Sequence, residues 1–266
     1  MAPVFSVTSD QLNVWMLAFL WPFVRMLALI STAPVFSEKS VPRTVKVGLA
    51  VLLAITIAPT LGPMPAVPLV SAGGLWILIQ QILIGAAMGF SMKMVFAMVQ
   101  AAGEYVGLQM GLSFASFFDP TSGGNTMVLA RLLNVIAMLI FLAVDGHLVL
   151  ISTLAESFQI LPIADAPLAA SGWFLLVTGG GQIFLGGLIL ALPLIGTLLT
   201  LNLAMGILNR VSPQFSIFSV GFPITLLAGI AMLQILMQYM GPFLEPRFAA
   251  GFALTQELLQ GLRSYP

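Results

Sequence analysis

Apolar residues run along this chain in long blocks, and Pro, Gly and a handful of charges mark where each block ends. A bilayer core is crossed by roughly 20 apolar residues in a helix, and the blocks are long enough for that. Six segments follow from the pattern: about 11–36, 44–60, 74–102, 125–161, 172–208 and 214–244, the fourth open to a break at Asp145-Gly146. A polar, amphipathic tail at 245–266 carries Glu245, Arg247, Glu257 and Arg263. The expected fold is therefore an all-α polytopic membrane protein of long kinked helical hairpins. It forms one domain, with N-terminal helices over 1–161, a C-terminal helical hairpin over 172–244 and the tail. Pro193 and Pro223 sit inside the last two segments and predict kinks there. The turn between those segments holds Asn209, Arg210, Pro213 and Gln214, so the hairpin has a polar tip. Four prolines at 59, 63, 65 and 68 make the second connection stiff.

Composition agrees with the pattern. Of 266 residues 59% are hydrophobic and 7% charged, against about 25% charged in a typical soluble domain. No charge lies between Lys46 and Lys93, between Asp165 and Arg210, or between Arg210 and Glu245. Nine basic residues balance nine acidic ones, so there is no positive field to hold nucleic acid. With no cysteine and one histidine, His147, neither disulfides nor thiolate or multi-histidine metal sites are expected, and no cofactor is. Residues 1–10 lack the basic start of a secretory signal. Lys39, Arg43 and Lys46 crowd one short loop and Arg210 another, while the connections at 59–73 and 162–171 have no Lys or Arg. If the fourth segment crosses once, the positive-inside rule puts loop 37–46 and Arg210 in the cytoplasm and the N-terminus outside.

Four charges fall within or beside apolar segments: Arg25, Lys93, Glu104 and Arg131. A basic residue at a helix centre costs about 2.5–3.5 kcal/mol on insertion scales, so such residues face protein or water. They fit either a polar conduit or subunit contact, or simple snorkelling and an ion pair such as Lys93 with Glu104. Gly103, Gly107 and Gly111 recur at spacing four, and Gly85 and Gly89 repeat the motif. Each glycine in a helix costs about 1 kcal/mol against alanine, and close helix packing, within the chain or between subunits, compensates. The stretch Met110–Gly124 then combines Phe114, Phe117 and Phe118 with serines and closes on Gly123-Gly124. Asp119-Pro120 is expected to end the helix there. Irregular backbone at membrane depth survives when buried or lining a wet cavity. This stretch is therefore either a plug that excludes water or a loop at the membrane edge. Catalysis has little to work with: Asp145-Gly146-His147 and Ser152 lack a nucleophile elbow.

Three stretches together resemble the FliR family of flagellar type III export-apparatus membrane proteins and, more distantly, its virulence-secretion relatives. They are Leu29–Ser37, Gly103–Ala115 with Asp119-Pro120, and Leu203–Gln214. The resemblance covers essentially the whole chain. It implies a structural, non-enzymatic channel subunit that assembles with FliP-like and FliQ-like subunits into a helical export gate in the inner membrane of the flagellar basal body. It also implies FlhB-like and FlhA-like partners, contact with membrane lipid, and unfolded flagellar subunits as cargo. The family's plug-like loop maps onto Met110–Gly124, including Met110, Phe114, Phe117, Phe118, Asp119 and Pro120. Its hairpin tip maps onto Asn209–Gln214. The alternative from a different class is a small-solute secondary transporter relaying through Arg25, Lys93, Glu104 and Arg131. Transporters of that kind carry internal repeats, and no repeat is visible here.

Overall fold

A computed structural model describes residues 9–62, 64–65, 67–112, 128–212 and 220–263. Among these the chain forms eight α-helices and no strand: α1 (Ser9–Thr32), α2 (Arg43–Ile57), α3 (Ala72–Gln109), α4 (Val128–Ala143), α5 (Gly146–Ile160), α6 (Ala170–Gly179), α7 (Gly181–Val211) and α8 (Phe222–Leu262). A single 3-10 turn, Ala58–Thr60, follows α2. Among the described residues five stretches are long and apolar enough to cross a membrane, and α4 with α5, bent by 68° at their junction, makes a sixth if the pair is one span. The chain is thus an all-α polytopic membrane protein.

Several boundaries depart from the sequence reading. The third segment does not stop near 102 but continues to Gln109, which brings Glu104 into the helix. The fourth breaks at the expected place, where Asp145 takes a left-handed backbone with φ 55°, a conformation that Asp tolerates. The tail is not a separate element: α8 runs without interruption to Leu262, past Pro242 and Pro246. Pro193 does lie inside α7. Pro223 lies one residue into α8, which directly follows the π-helical residues Val220 and Gly221, so the helix is irregular where the second proline falls.

The chain divides into two compact units. The first comprises Met1–Lys93, His147–Thr178 and Gly251–Pro266. In it α1 and α2 pack as a hairpin whose contact on the α2 side buries Ala50 and Ala54. The connection between them holds Val35 at φ 68°, with the Phe36 amide donating to the Pro34 carbonyl at 2.8 Å. This is a γ-turn of the rare, positive-φ kind. Leu17 and Trp21 of α1 and Ile77 of α3 form a buried cluster extended by Val67, Leu69, Leu78 and Ile163. Further along, Gly85 and Gly89 let α3 approach α1 so closely that a methyl on Gly85 would lie 2.9 Å from the Ala28 methyl. One on Gly89 would lie 2.7 Å from the Ala33 amide nitrogen. The last turns of α8 are tied in by Ser91 and Thr255, whose buried hydroxyls are 2.6 Å apart, and by Ser171 donating to the Gly261 carbonyl at 2.6 Å.

The second unit comprises Met94–Gly146 and Gly179–Ala250. Its core is a triangle of rings from three helices: Phe96 of α3, Phe141 of α4 and Phe248 of α8. Their centroids are 5.5, 5.1 and 5.7 Å apart, and two of the pairs meet edge to face. That geometry suits the positive edge and negative face of an aromatic ring and adds about 0.5–1.5 kcal/mol per pair beyond burial. On α7 the pair Gly186-Gly187 receives Met98 of α3: a methyl on Gly186 would lie 2.8 Å from Met98 Cγ. The opposite side of α7 stays open. Phe184, Leu192, Leu199 and Leu203 on α7, and Leu227, Ile230 and Tyr239 on α8, are each more than half exposed, and among the described residues no neighbouring element lies within 4 Å of where a methyl on Gly196 or Gly206 would be. Exposed apolar surface on this scale marks contact with lipid or with other chains.

Candidate functional site

The glycine ladder divides into two tasks. Gly103 is packed against α4, where a methyl group would lie 2.6 Å from the Ala130 amide nitrogen and 3.0 Å from the Leu129 carbonyl carbon. Only a residue without a Cβ permits this backbone contact. Gly107 is buried one turn on. Gly111 is no rung of the ladder. It has φ 78°, its amide donates to the Leu108 carbonyl at 3.1 Å, and the Leu112 amide donates to the Gly107 carbonyl at 3.0 Å. This crossed pair of bonds around a left-handed glycine is the Schellman motif, which satisfies carbonyls left over at a helix end. The stop in α3 therefore comes from Gly111, well before Asp119-Pro120, and the expectation that those two residues end this helix is corrected.

Of the residues assigned to the plug, Met110 lies within the described residues, while Phe114, Phe117, Phe118, Asp119 and Pro120 lie outside them. Met110 is 1% exposed. Its side chain lies against Gly229 of α8, where a methyl group would come 2.6 Å from Sδ and 2.7 Å from Cγ. Gly221, Thr225 and Gly229 recur at spacing four, a small-residue series in the sequence that could have pointed to this contact.

The four charges assigned to apolar segments do not share one environment. Arg25 is fully buried. Its Nε donates to Gln81 Oε1 at 2.7 Å, Nη1 to the Ser157 carbonyl at 3.1 Å and hydroxyl at 3.2 Å, and Nη2 to the Leu161 carbonyl at 3.0 Å. The guanidinium also stands 4.3 Å from the centre of the Phe158 ring. All these acceptors are neutral. Ser157 and Leu161 stand at the C-terminal end of α5, where unpaired carbonyls and the helix dipole favour a cation. Lys93 and Arg131 are exposed and Glu104 is half-buried. Lys93 and Glu104 stand eleven residues apart on α3, a rise of roughly 16 Å at 1.5 Å per residue, so they cannot pair. Exposure of Lys93 and Arg131 leaves them free to snorkel, to line a polar conduit or to meet another subunit.

At the hairpin tip, Arg210 is exposed in the last turn of α7 and Asn209 is half-buried. The Ser212 amide closes the helix on the Leu208 carbonyl at 2.8 Å. A cation in that turn is favoured by the dipole. Pro213 and Gln214 lie outside the described residues. Ser152, paired in the sequence with His147, donates instead to its own helix at the Val149 carbonyl, 2.9 Å away. Among the described residues no group of His, Asp and Glu could hold a metal ion.

Comparison with known proteins gives a consistent picture. Residues 16–251 match the family described as bacterial export proteins, family 1. The chain is 53% identical over 255 residues to the flagellar biosynthetic protein FliR of Pectobacterium carotovorum subsp. carotovorum, covering 96% of this chain and 97% of that protein. Against the protein of the same name from Escherichia coli K12 it is 51% identical over 257 residues, covering 97% and 98%. Against that of Bacillus subtilis it is 28% identical over 248 residues, covering 92% and 94%.

Proposed function

The chain belongs to the bacterial export proteins, family 1, as a FliR-type subunit of the flagellar export apparatus, and on that premise we propose that it is a channel-forming subunit of the export gate. The reading is carried by identity above half, over nearly the whole length, with proteins named for flagellar biosynthesis. The gate lies in the inner membrane within the flagellar basal body and passes unfolded flagellar subunits. FliP-like and FliQ-like chains cover the open faces of α7 and α8, and FlhB-like and FlhA-like proteins stand at the cytoplasmic side. The tip, Asn209 to Gln214, faces that side and the N-terminus faces the other. The subunit performs no catalysis and needs no cofactor. It contributes wall and closure, from one domain over 1–266.

Closure is assigned to residues 110–124. A pore wide enough for a polypeptide leaks ions and discharges the membrane unless sealed, and a ring of apolar bulk seals by excluding water. Phe114, Phe117 and Phe118 supply that bulk, while Ser113 and Ser116 keep the surface from gripping a passing chain. The stop at Gly111, with its amides and carbonyls satisfied, gives the segment a defined starting point. Co-purification of the tagged chain from native membranes, followed by mass measurement, should recover a complex with FliP-like and FliQ-like chains. Deleting Leu112–Phe118 should leave that complex intact and raise its ion conductance. Recovery of a monomer with solute uptake instead would return the transporter reading.

A further inference from the structure

Gly85 and Gly89 bring α3 against α1, and beside that contact a groove of about 400 Å³ stays open between the two helices. Its lining runs from Val24 to Thr32 on α1 and from Leu78 to Ala86 on α3. Each run rises about 12 Å at 1.5 Å per residue, close to the roughly 15 Å of hydrocarbon in one leaflet of a bilayer. Every lining residue is apolar except Ser31 and Thr32, which stand at one end. The Thr32 hydroxyl is turned back to the Ala28 and Leu29 carbonyls at 2.9 and 3.2 Å, so it leaves the groove apolar.

The Thr32 end is also where basic residues gather. The two helices run the same way, since Gly85 faces Ala28 and Gly89 faces Ala33. The connection that leaves α1 at this end carries Lys39, and α2 opens with Arg43 and Lys46, against a single acid, Glu38. Lys39 and Arg43 are exposed, while Lys46 Nζ donates to the Glu38 carbonyl at 3.2 Å. Lys93 is exposed as well. It lies eleven residues beyond Ile82, close to three full turns, and so stands on the same face of α3 as the groove. An apolar groove of about one leaflet's depth that ends among cations has the order of parts of an anionic phospholipid, and basic pockets between membrane helices bind such head groups.

We propose that the groove between α1 and α3 is a binding site for an anionic phospholipid. One acyl chain lies along Val24, Leu27, Ile82 and Ala86, and the phosphate meets Lys39, Arg43 and Lys93. All of these residues belong to the first unit.

The test uses the full chain isolated from native membranes with its partners, stripped of lipid in detergent. It is retitrated with phosphatidylglycerol or with phosphatidylcholine of the same acyl chains, and native mass measurement counts the bound lipid. Wild type should bind phosphatidylglycerol about five-fold more tightly. Lys39→Gln/Arg43→Gln/Lys93→Gln alters exposed side chains alone and should bring the two lipids within about two-fold of each other. Ala86→Phe fills the groove and should remove one bound molecule of either lipid. Equal binding of the two lipids by wild type overturns the proposal. So does a triple variant that keeps the preference, or an assembled Ala86→Phe that keeps the full lipid count. Should Ala86→Phe fail to assemble, Ser31→Cys decides in its place, in a chain with no other cysteine. A benzophenone maleimide on that thiol should crosslink to phospholipid under light, and crosslinking to another protein chain alone would show that a partner fills the groove instead.

Discussion

A fully buried guanidinium that bonds to no carboxylate is costly unless its donors are met. Arg25 meets them with the end of a helix: one amide oxygen, one hydroxyl and two main-chain carbonyls. Its role is to join α1, α3 and the C-terminal end of α5 within the first unit, and it follows that its removal harms folding rather than transport. Arg25→Leu leaves the Leu161 carbonyl and Gln81 without their partner, at about 1–3 kcal/mol for each orphaned group. The expected outcome is loss of the chain from membranes, read by immunoblot. Arg25→Lys, with a point charge in place of a planar fork, should restore part of that level. Normal accumulation of Arg25→Leu together with lost activity would give Arg25 a functional role that this packing does not predict.

At the level of elements, the glycines separate by what faces them. Gly103 has the backbone of α4 against it, whereas Gly196 on α7 has open space. Gly103→Ala should therefore prevent α3 and α4 from closing and destabilise the purified chain. Gly196→Ala should leave the isolated chain as stable as before, or stabilise it by up to about 1 kcal/mol, since alanine is the better helix former. Thermal unfolding of the two variants in detergent compares them directly. Equal melting of Gly103→Ala and wild type would show that the α3–α4 contact is looser than described. In the assembled gate Gly196→Ala reports on a different matter, namely how closely a partner helix approaches α7.

For the whole molecule, the open apolar sides of α7 and α8 and the few charges at their ends decide how the chain sits in its surroundings. The tip at Arg210 is a basic residue in a short connection, and basic short loops stay in the cytoplasm. Ser212→Cys, in a chain with no natural cysteine, should resist membrane-impermeant maleimide in intact cells and react once the membrane is opened. Labelling in intact cells would reverse the orientation and with it the placement of the tip beside FlhB-like partners.

The class of protein, the number of apolar segments and the break at Asp145 were legible along the chain, because each follows from local composition and the backbone preference of one or two residues. The three stretches that resemble the FliR family were legible for a similar reason: they are contiguous in sequence. Three-dimensional packing decided the rest. A ladder at spacing four does not reveal which rung ends the helix; Gly111 ends it because its left-handed backbone lets two crossed hydrogen bonds form. Nor does a lone arginine among apolar residues name its acceptors, which here come from Gln81, Ser157 and Leu161, far along the chain. The length of α8 was hidden as well, since the charges after 244 resemble a solvated tail until Leu258, Leu259 and Leu262 are seen to be buried. Composition reports what a segment contains. Burial, as of Met110 against Gly229, depends on which distant residue arrives at the same place.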